Sequence, residues 1–388
     1  MRYGIDASNL RSGGGVHHLL RILENVGNSP GGDTHITVWG SRALCERIAR
    51  REGITLTAVP DLDASLLRRL HWQMRRLPTL AGRTCDILFA PGGLTGNHSI
   101  PTVVMCRNML PFDLGEARRY GASFMLARLL VLRVLQARTF RRATGMIFLS
   151  DYARERVVAQ IGQLPGKTAL IAHGVAPRFQ HEPRRQRRLE EYSLEKPFRL
   201  LYVSIVDVYK HQWHVAAAVA SLRRSGMPVV LDIVGPAYLP ALRRLKASLR
   251  ELDPTAAFVK YCGAVAHPEL HQRYHGADGF VFASTCENMP NILLEAMAAG
   301  LPIACSERRP MTDILDAGGL YFDPLRPDSI SRAITTMVRD PKKRARLAST
   351  AYERAANRTW QRCALNTFQY LNECAGARAG RAPQSERA

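Results

Sequence analysis

The sequence has eight cysteines but no Cys-x-x-Cys pair, and positions 45, 85, 106, 262, 286, 305, 363 and 374 are scattered. That scatter argues against a zinc ribbon and a disulfide framework, and it fits a reducing cytoplasm. No run approaches the roughly 18 apolar residues of a bilayer span, and the start, MRYGIDASN, has no apolar signal region. A soluble or peripheral protein is expected, cytoplasmic, with a place on the inner face of the plasma membrane. Acidic residues are scarce: 33 Asp+Glu stand against 54 Lys+Arg, a formal net charge of +21. Such an excess calls for an anionic partner, whether a phosphorylated substrate, an acidic membrane surface or nucleic acid. The basic-aromatic interleaving of an RNA module is also missing, so no nucleic-acid partner is expected.

At 388 residues and 46% hydrophobic content, the chain can bury two cores. Short apolar runs fit strands at residues 3–7, Thr34–Trp39, Ile54–Val59, Ile87–Ala90, Thr102–Cys106 and Gly145–Leu149. Helical patterns lie between most of them, as in a doubly wound α/β domain. Residues 178–199 read as a linker, with Pro183, Pro197 and the basic run Arg184 to Arg188. A second α/β domain opens at Arg199–Val203 and continues through runs at Val229–Val234, Phe258–Tyr261, Phe280–Ala283, Pro302–Cys305 and 318–324. The expected division is an acceptor-binding domain at 1–180, a donor-binding domain at 198–356, a helix at about 357–375 returning to the first domain, and a disordered tail at 376–388.

The chemistry concentrates in Gly279 to Gly300, GFVFASTCENMPNILLEAMAAG. A buried-strand run leads through polar turn residues to Pro290, suited to a first helical turn, and Gly300 is a natural stop. Open amides at such a helix start attract phosphate. Glu287 and Glu295 would repel phosphate, so they suit the hydroxyls of a neutral ligand part instead. A nucleotide sugar offers both: hydroxyls at each end and a diphosphate between. Earlier, Gly13-Gly14-Gly15 follows the first strand and precedes a helix, a layout that lets backbone approach phosphate. Lys210 stands a few residues past the strand at 199–203, where a cation neutralises a diphosphate. Arg107-Asn108 ends the strand at 102–106, at the carboxyl end where such sheets bind ligands.

E-N-M-P-N-I-L-L-E resembles the Glu-x7-Glu motif of retaining glycosyltransferases of the GT4 type, which have the GT-B fold: two Rossmann-like domains facing a cleft. The resemblance implies a retaining hexosyltransferase that uses a nucleoside-diphosphate sugar and serves a glycan or lipid-linked acceptor, without a metal, in cell-surface polysaccharide or lipopolysaccharide assembly. It implies that Glu287 contacts the donor sugar and Glu295 the ribose. Asn288, Met289, Pro290, Asn291 and Ile292 would hold sugar and phosphate, and Val265 would sit where backbone reads the base. Gly14 and Gly15 match the family's N-terminal glycine loop, and Lys210 its phosphate lysine. Two positions depart from the pattern. Arg107-Asn108 stands where many members have His-Asp, and Ile205, after Ser204, occupies the place of a phosphate-binding arginine. A sugar-nucleotide epimerase of the same fold is the nearer alternative, and a non-catalytic basic binding protein the farther one.

Three further patterns are set aside. Gly162 to Thr168 has three residues between its glycines instead of four, so it is a helix-to-strand turn and not a P-loop. Asp61-Leu62-Asp63 lies in an ordinary turn. His267, His271 and His275 have helical spacing but no further ligands, so a helix surface is expected. Finally, 117–142 mixes leucine with seven arginines and reads as one basic amphipathic helix able to lie on an anionic bilayer.

Overall fold

A computed structural model describes residues 1–11, 13–27, 35–96 and 99–379. Two compact units emerge, the first from Met1–Phe112, Phe124–Gly174 and the chain from Trp360, the second from Asp113–Ser123 and Val175–Thr359.

Unit 1 holds seven parallel strands: β1 Arg2–Asp6, β2 His35–Gly40, β3 Ile54–Ala58, β4 Ile87–Ala90, β5 Thr102–Cys106, β6 Gly145–Phe148 and β7 Lys167–Leu170. Their spatial order is β3-β2-β1-β4-β5-β6-β7. Ile5 lies opposite Val38 on one side and Phe89 on the other. Strands β4, β5 and β6 are buried along their whole length, which explains their continuous apolar runs: helices cover both faces of a parallel sheet.

Unit 2 holds six parallel strands: β8 Phe198–Val203, β9 Val229–Val234, β10 Val259–Gly263, β11 Gly279–Phe282, β12 Ile303–Ser306 and β13 Gly319–Phe322. Their order, β10-β9-β8-β11-β12-β13, reverses direction at β8/β11. The carboxyl ends of strands at such a reversal are where open α/β sheets bind ligands. Both sheets agree with the doubly wound expectation.

Four expectations need correction. The triple glycine does not precede its helix but opens it, since the helix runs Gly13–Glu24. The stretch 117–142 is not one helix. Asp113 caps a short helix, Leu114–Arg118, and a separate helix runs Phe124–Arg142. Gly121, at φ +64°, lies in the break between them. The histidines do not share one helix either: it spans only Leu270–His275, and His267 precedes it. The last helix, Trp360–Ala379, runs into the stretch expected to be disordered; the tail from 380 on lies outside the described residues, as does Thr34.

Candidate functional site

In unit 2 the site residues gather where β8 and β11 end. After β8, Ser204 is fixed locally: its hydroxyl accepts from Gln212 Nε2 at 2.8 Å and donates to the Ile205 carbonyl at 2.9 Å. Gly235, at φ +146°, lies against it; a Cβ there would stand 2.0 Å from the Ser204 carbonyl oxygen. The chain then reaches Lys210 and turns through His211, which has a left-handed backbone at φ 51° just before the helix Gln212–Arg224.

Lys210 is buried and its ammonium pairs with Glu287 Oε1, both side chains being almost enclosed at 5% and 12% exposure. The rings of Tyr209 and Phe282 flank the same ammonium, centroids 4.9 and 5.0 Å away. Aromatic faces and a carboxylate together offset part of the cost of taking such a cation out of water. The sequence placed these two residues at the same ligand but did not show them touching.

From Glu287 the chain passes Asn288 and Met289, both buried, to Pro290, the N-cap of the helix Asn291–Ala298. The Leu293 amide donates to the Pro290 carbonyl at 3.0 Å, and the amides of Asn291 and Ile292 have no carbonyl within the helix to reach. Asn291 Oδ1 is buried with no hydrogen-bond partner, so this turn presents unused polar atoms.

Glu295 lies one turn in and is 5% exposed. Its Oε2 accepts from Tyr274 at 3.1 Å, and its Oε1 faces His267 Nε2 at 3.4 Å. The other ring nitrogen of His267 faces the Arg178 guanidinium. A guanidinium only donates, so Nδ1 accepts and a neutral ring carries its proton on Nε2, toward Glu295. Glu295 is thus held from two sides with lone pairs to spare. His267, Tyr274 and Arg178 are the residues that sequence reasoning missed. Helical histidine spacing had pointed to a surface, and nothing local marks the pairing with a carboxylate 28 positions on. Val265 sits in the loop after β10, two residues before His267.

The segment 113–123 also joins this unit. Thr285 donates to Glu116 Oε2 at 2.6 Å, and Tyr120 donates to Asp207 Oδ1 at 3.0 Å. His211 Nε2 meets the same Thr285 hydroxyl at 3.2 Å. Burial, then the neighbouring His214, Arg119 and Arg244, push the His211 pKa down to about 3, so the ring is neutral.

Gly14, Gly15, Arg107 and Asn108 belong to unit 1. Gly14 and Gly15 form the first turn of their helix, and a Cβ on Gly15 would lie 3.3 Å from Arg107 Nη1. That Nη1 is enclosed without a hydrogen-bond partner, and burial pulls the guanidinium down to about 10. Asn108 accepts from the Leu110 amide at 3.1 Å, a local turn bond. Beside them His18 and His173, both buried, face each other Nδ1 to Nδ1 at 2.9 Å. Burial lowers both pKa values well below the usual histidine range, and each loses further to its cationic neighbours.

Two doubly wound parallel sheets of this order define the GT-B architecture. The chain superposes on the crystal structure of HepE from Anabaena in complex with UDP with a TM-score of 0.71 and 18% identity, covering 96% of this chain and 99% of that one. Residues 184–354, within unit 2, match the family model of glycosyl transferases group 1. Residues 184–354 of unit 2 are thus similar to group 1 glycosyltransferases, in keeping with the resemblance to GT4-type enzymes. The chain is 28% identical over 279 residues to the GDP-mannose-dependent alpha-(1-6)-phosphatidylinositol dimannoside mannosyltransferase of Mycobacterium tuberculosis, spanning 72% of this chain and 69% of that protein. It is 29% identical over 120 residues to the O-antigen chain mannosyltransferase B of Escherichia coli, spanning 31% of this chain and 32% of that protein. The match to the Escherichia coli protein thus covers only about a third of that protein's length.

Proposed function

We propose that the protein is a retaining glycosyltransferase of the GT4 type that moves a hexose from a nucleoside-diphosphate sugar to a glycan or lipid-linked acceptor, in cell-surface polysaccharide or lipopolysaccharide assembly at the cytoplasmic face of the membrane. The observation that carries the reading is the buried Lys210–Glu287 pair beside the open first turn of the helix Asn291–Ala298, with Glu295 a turn further in. A cation and open amides suit a diphosphate, and the two carboxylates suit the hydroxyls on either side of it. The relatives support the class, being mannosyltransferases by name, and UDP occupies the HepE structure.

In this reading Glu295, held by Tyr274 and His267, accepts the ribose hydroxyls, and Val265 lies toward the base. Glu287 accepts from the sugar hydroxyls through the oxygen that Lys210 leaves open. Asn288 to Ile292 hold the sugar and phosphate. The acceptor oxygen attacks the anomeric carbon on the face that the diphosphate leaves, and the departing phosphate oxygen takes the acceptor proton. Negative charge grows on the diphosphate, where Lys210 and the first-turn amides lower its energy. On unit 1, Gly14, Gly15, Arg107 and Asn108 form the second group of candidate contacts, with Arg107 the cation for an anionic part of the ligands. The positive charge is supplied by side chains and amides, so the proposed reaction requires no metal.

The test is product analysis. The protein is incubated with UDP- and GDP-hexoses and lipid-linked or oligosaccharide acceptors, and the product linkage is read by NMR. An α-linked product from an α-configured donor, with free nucleoside diphosphate, is expected. An inverted linkage would overturn the retaining mechanism, and an epimerised sugar nucleotide formed without acceptor would overturn the transferase reading.

A further inference from the structure

Segment 113–123 packs with unit 2, although the residues up to Phe112 and from Phe124 belong to unit 1. Nothing in the proposed transfer asks for it, yet two of its side chains reach the loops that carry Lys210 and Glu287. Its own conformation follows from its sequence. Asp113 Oδ1 accepts from the Glu116 amide at 3.2 Å and so starts the short helix Leu114–Arg118, and Gly121, at φ +64°, turns the chain after it. Glu116 ends up only 9% exposed.

Glu116 acts on the glutamate loop. A hydroxyl has one proton, and that of Thr285 goes to Glu116 Oε2 at 2.6 Å; the Tyr209 carbonyl stands farther off at 3.2 Å and already receives the Thr285 amide at 2.9 Å. With that proton committed, the Thr285 oxygen accepts from His211 Nε2 at 3.2 Å, which leaves His211 Nδ1 buried and without a partner. A line of donors thus runs from His211 to Thr285 to Glu116, and Arg119 Nε meets the same Glu116 Oε2 at 2.8 Å. His211 directly follows Lys210, and Thr285 stands two positions before Glu287. Tyr120 acts on the lysine loop. Its hydroxyl donates to Asp207 Oδ1 at 3.0 Å, beside the Val208 amide at 2.7 Å, and the Asp207 carbonyl receives the Lys210 amide at 3.1 Å. The Tyr238 ring, edge-on with its centroid 5.6 Å away, supports the Tyr120 ring.

The two loops are tied to each other by the Lys210–Glu287 pair and the Thr285–Tyr209 bond, and both ties would survive if the loops shifted together. Contacts from outside set where the pair of loops stands. Tyr202, on β8, gives one to the Lys210 carbonyl, and 113–123 gives two more, one of them to a carboxylate. We propose that Glu116 and Tyr120 are positioning residues for the transfer, holding Thr285 and Asp207 so that the Lys210 ammonium and the Glu287 carboxylate meet the sugar diphosphate in a single arrangement. Their part in transfer rests on the transferase reading; their hold on the two loops does not.

The full chain and its variants are assayed for transfer from UDP- and GDP-hexoses, for thermal shifts with the same donors, and for amide hydrogen exchange in peptides covering 204–211 and 284–290. E116A should lose roughly tenfold in kcat per folded protein, with the donor KM within about twofold of wild type. E116Q, whose amide oxygen still accepts from Thr285, should regain most of that loss. T285V should match E116A, and E116A/T285V should be no worse than either, because the two residues act through one contact. Exchange in the two loops should rise in E116A and in Y120F. Three results would overturn the proposal: loop exchange unchanged in both variants, kcat losses that multiply in E116A/T285V, or a loss confined to KM. Wild type that neither shifts with any donor nor transfers would condemn the transferase reading, and loop exchange would then decide the hold of 113–123 by itself.

Discussion

Replacing Lys210 by methionine removes one member of an ion pair whose two side chains are 5% and 12% exposed. The remaining Glu287 carboxylate would stay enclosed, without its cation. Breaking a buried pair from one side costs about 3–5 kcal/mol, whereas replacing both members by apolar groups of similar size is often neutral. Lys210→Met should therefore destabilise unit 2 by about 3 kcal/mol, and Glu287→Met by a similar amount. The double variant should return to within about 1 kcal/mol of wild type, a coupling that only touching residues show. Trp213 makes the measurement local. It is the only tryptophan in unit 2, the others being Trp39, Trp72 and Trp360. In a background with those three changed to phenylalanine, urea unfolding followed by fluorescence reads unit 2. Single costs that simply add, or a Lys210→Met cost below about 1 kcal/mol, would refute the reasoning about the pair. The same double variant should fold and yet transfer no sugar, and wild-type turnover in it would remove both residues from the chemistry.

Other outcomes follow from the same geometry. His267→Ala should raise KM for the donor about tenfold with little change in kcat, because Glu295 loses one of its two orienting partners; an unchanged KM would make His267 a bystander. The pKa of His211 is pushed from an ordinary 6.5 to about 3, so below pH 6.5 the unfolded chain takes up a proton that the folded one refuses. Stability from this group is complete above pH 6.5 and is lost as the pH falls toward 3. From pH 7 to 5 the wild type should lose about 2 kcal/mol more than His211→Asn, measured by urea unfolding at each pH. Gly235→Ala should cost at least about 3 kcal/mol, since the new Cβ would meet the Ser204 carbonyl, and a smaller cost would mean that the β9 turn can yield. EDTA should leave the transfer rate unchanged, and a loss restored by a divalent cation would show that the diphosphate needs a metal.

Much of this arrangement was legible in the chain itself, for identifiable reasons. Buried parallel strands announce themselves as apolar runs bounded by turns, and Phe280–Phe282 or Val103–Met105 could be little else. Lys210, Glu287 and Glu295 could be named as candidates because each stands just beyond a strand or inside a helix start, where local pattern and ligand chemistry coincide. Residues that act across the chain carried no such mark. His267 and Glu295 meet because β10 and β11 belong to one sheet, and Glu116 reaches Thr285 because 113–123 packs with unit 2. The break at Gly121 was hidden by leucine and arginine on both sides, which made two helices read as one.

The central claim is that unit 2 binds a nucleotide sugar through the Lys210–Glu287 and Glu295 cluster. The most direct measurement is thermal stabilisation of the full chain by a panel of UDP-, GDP- and ADP-sugars, for wild type and Glu295→Ala. A donor at 100 times its dissociation constant should add about 2.7 kcal/mol to wild type and much less to the variant. No shift with any donor, or equal shifts in both proteins, would contradict it.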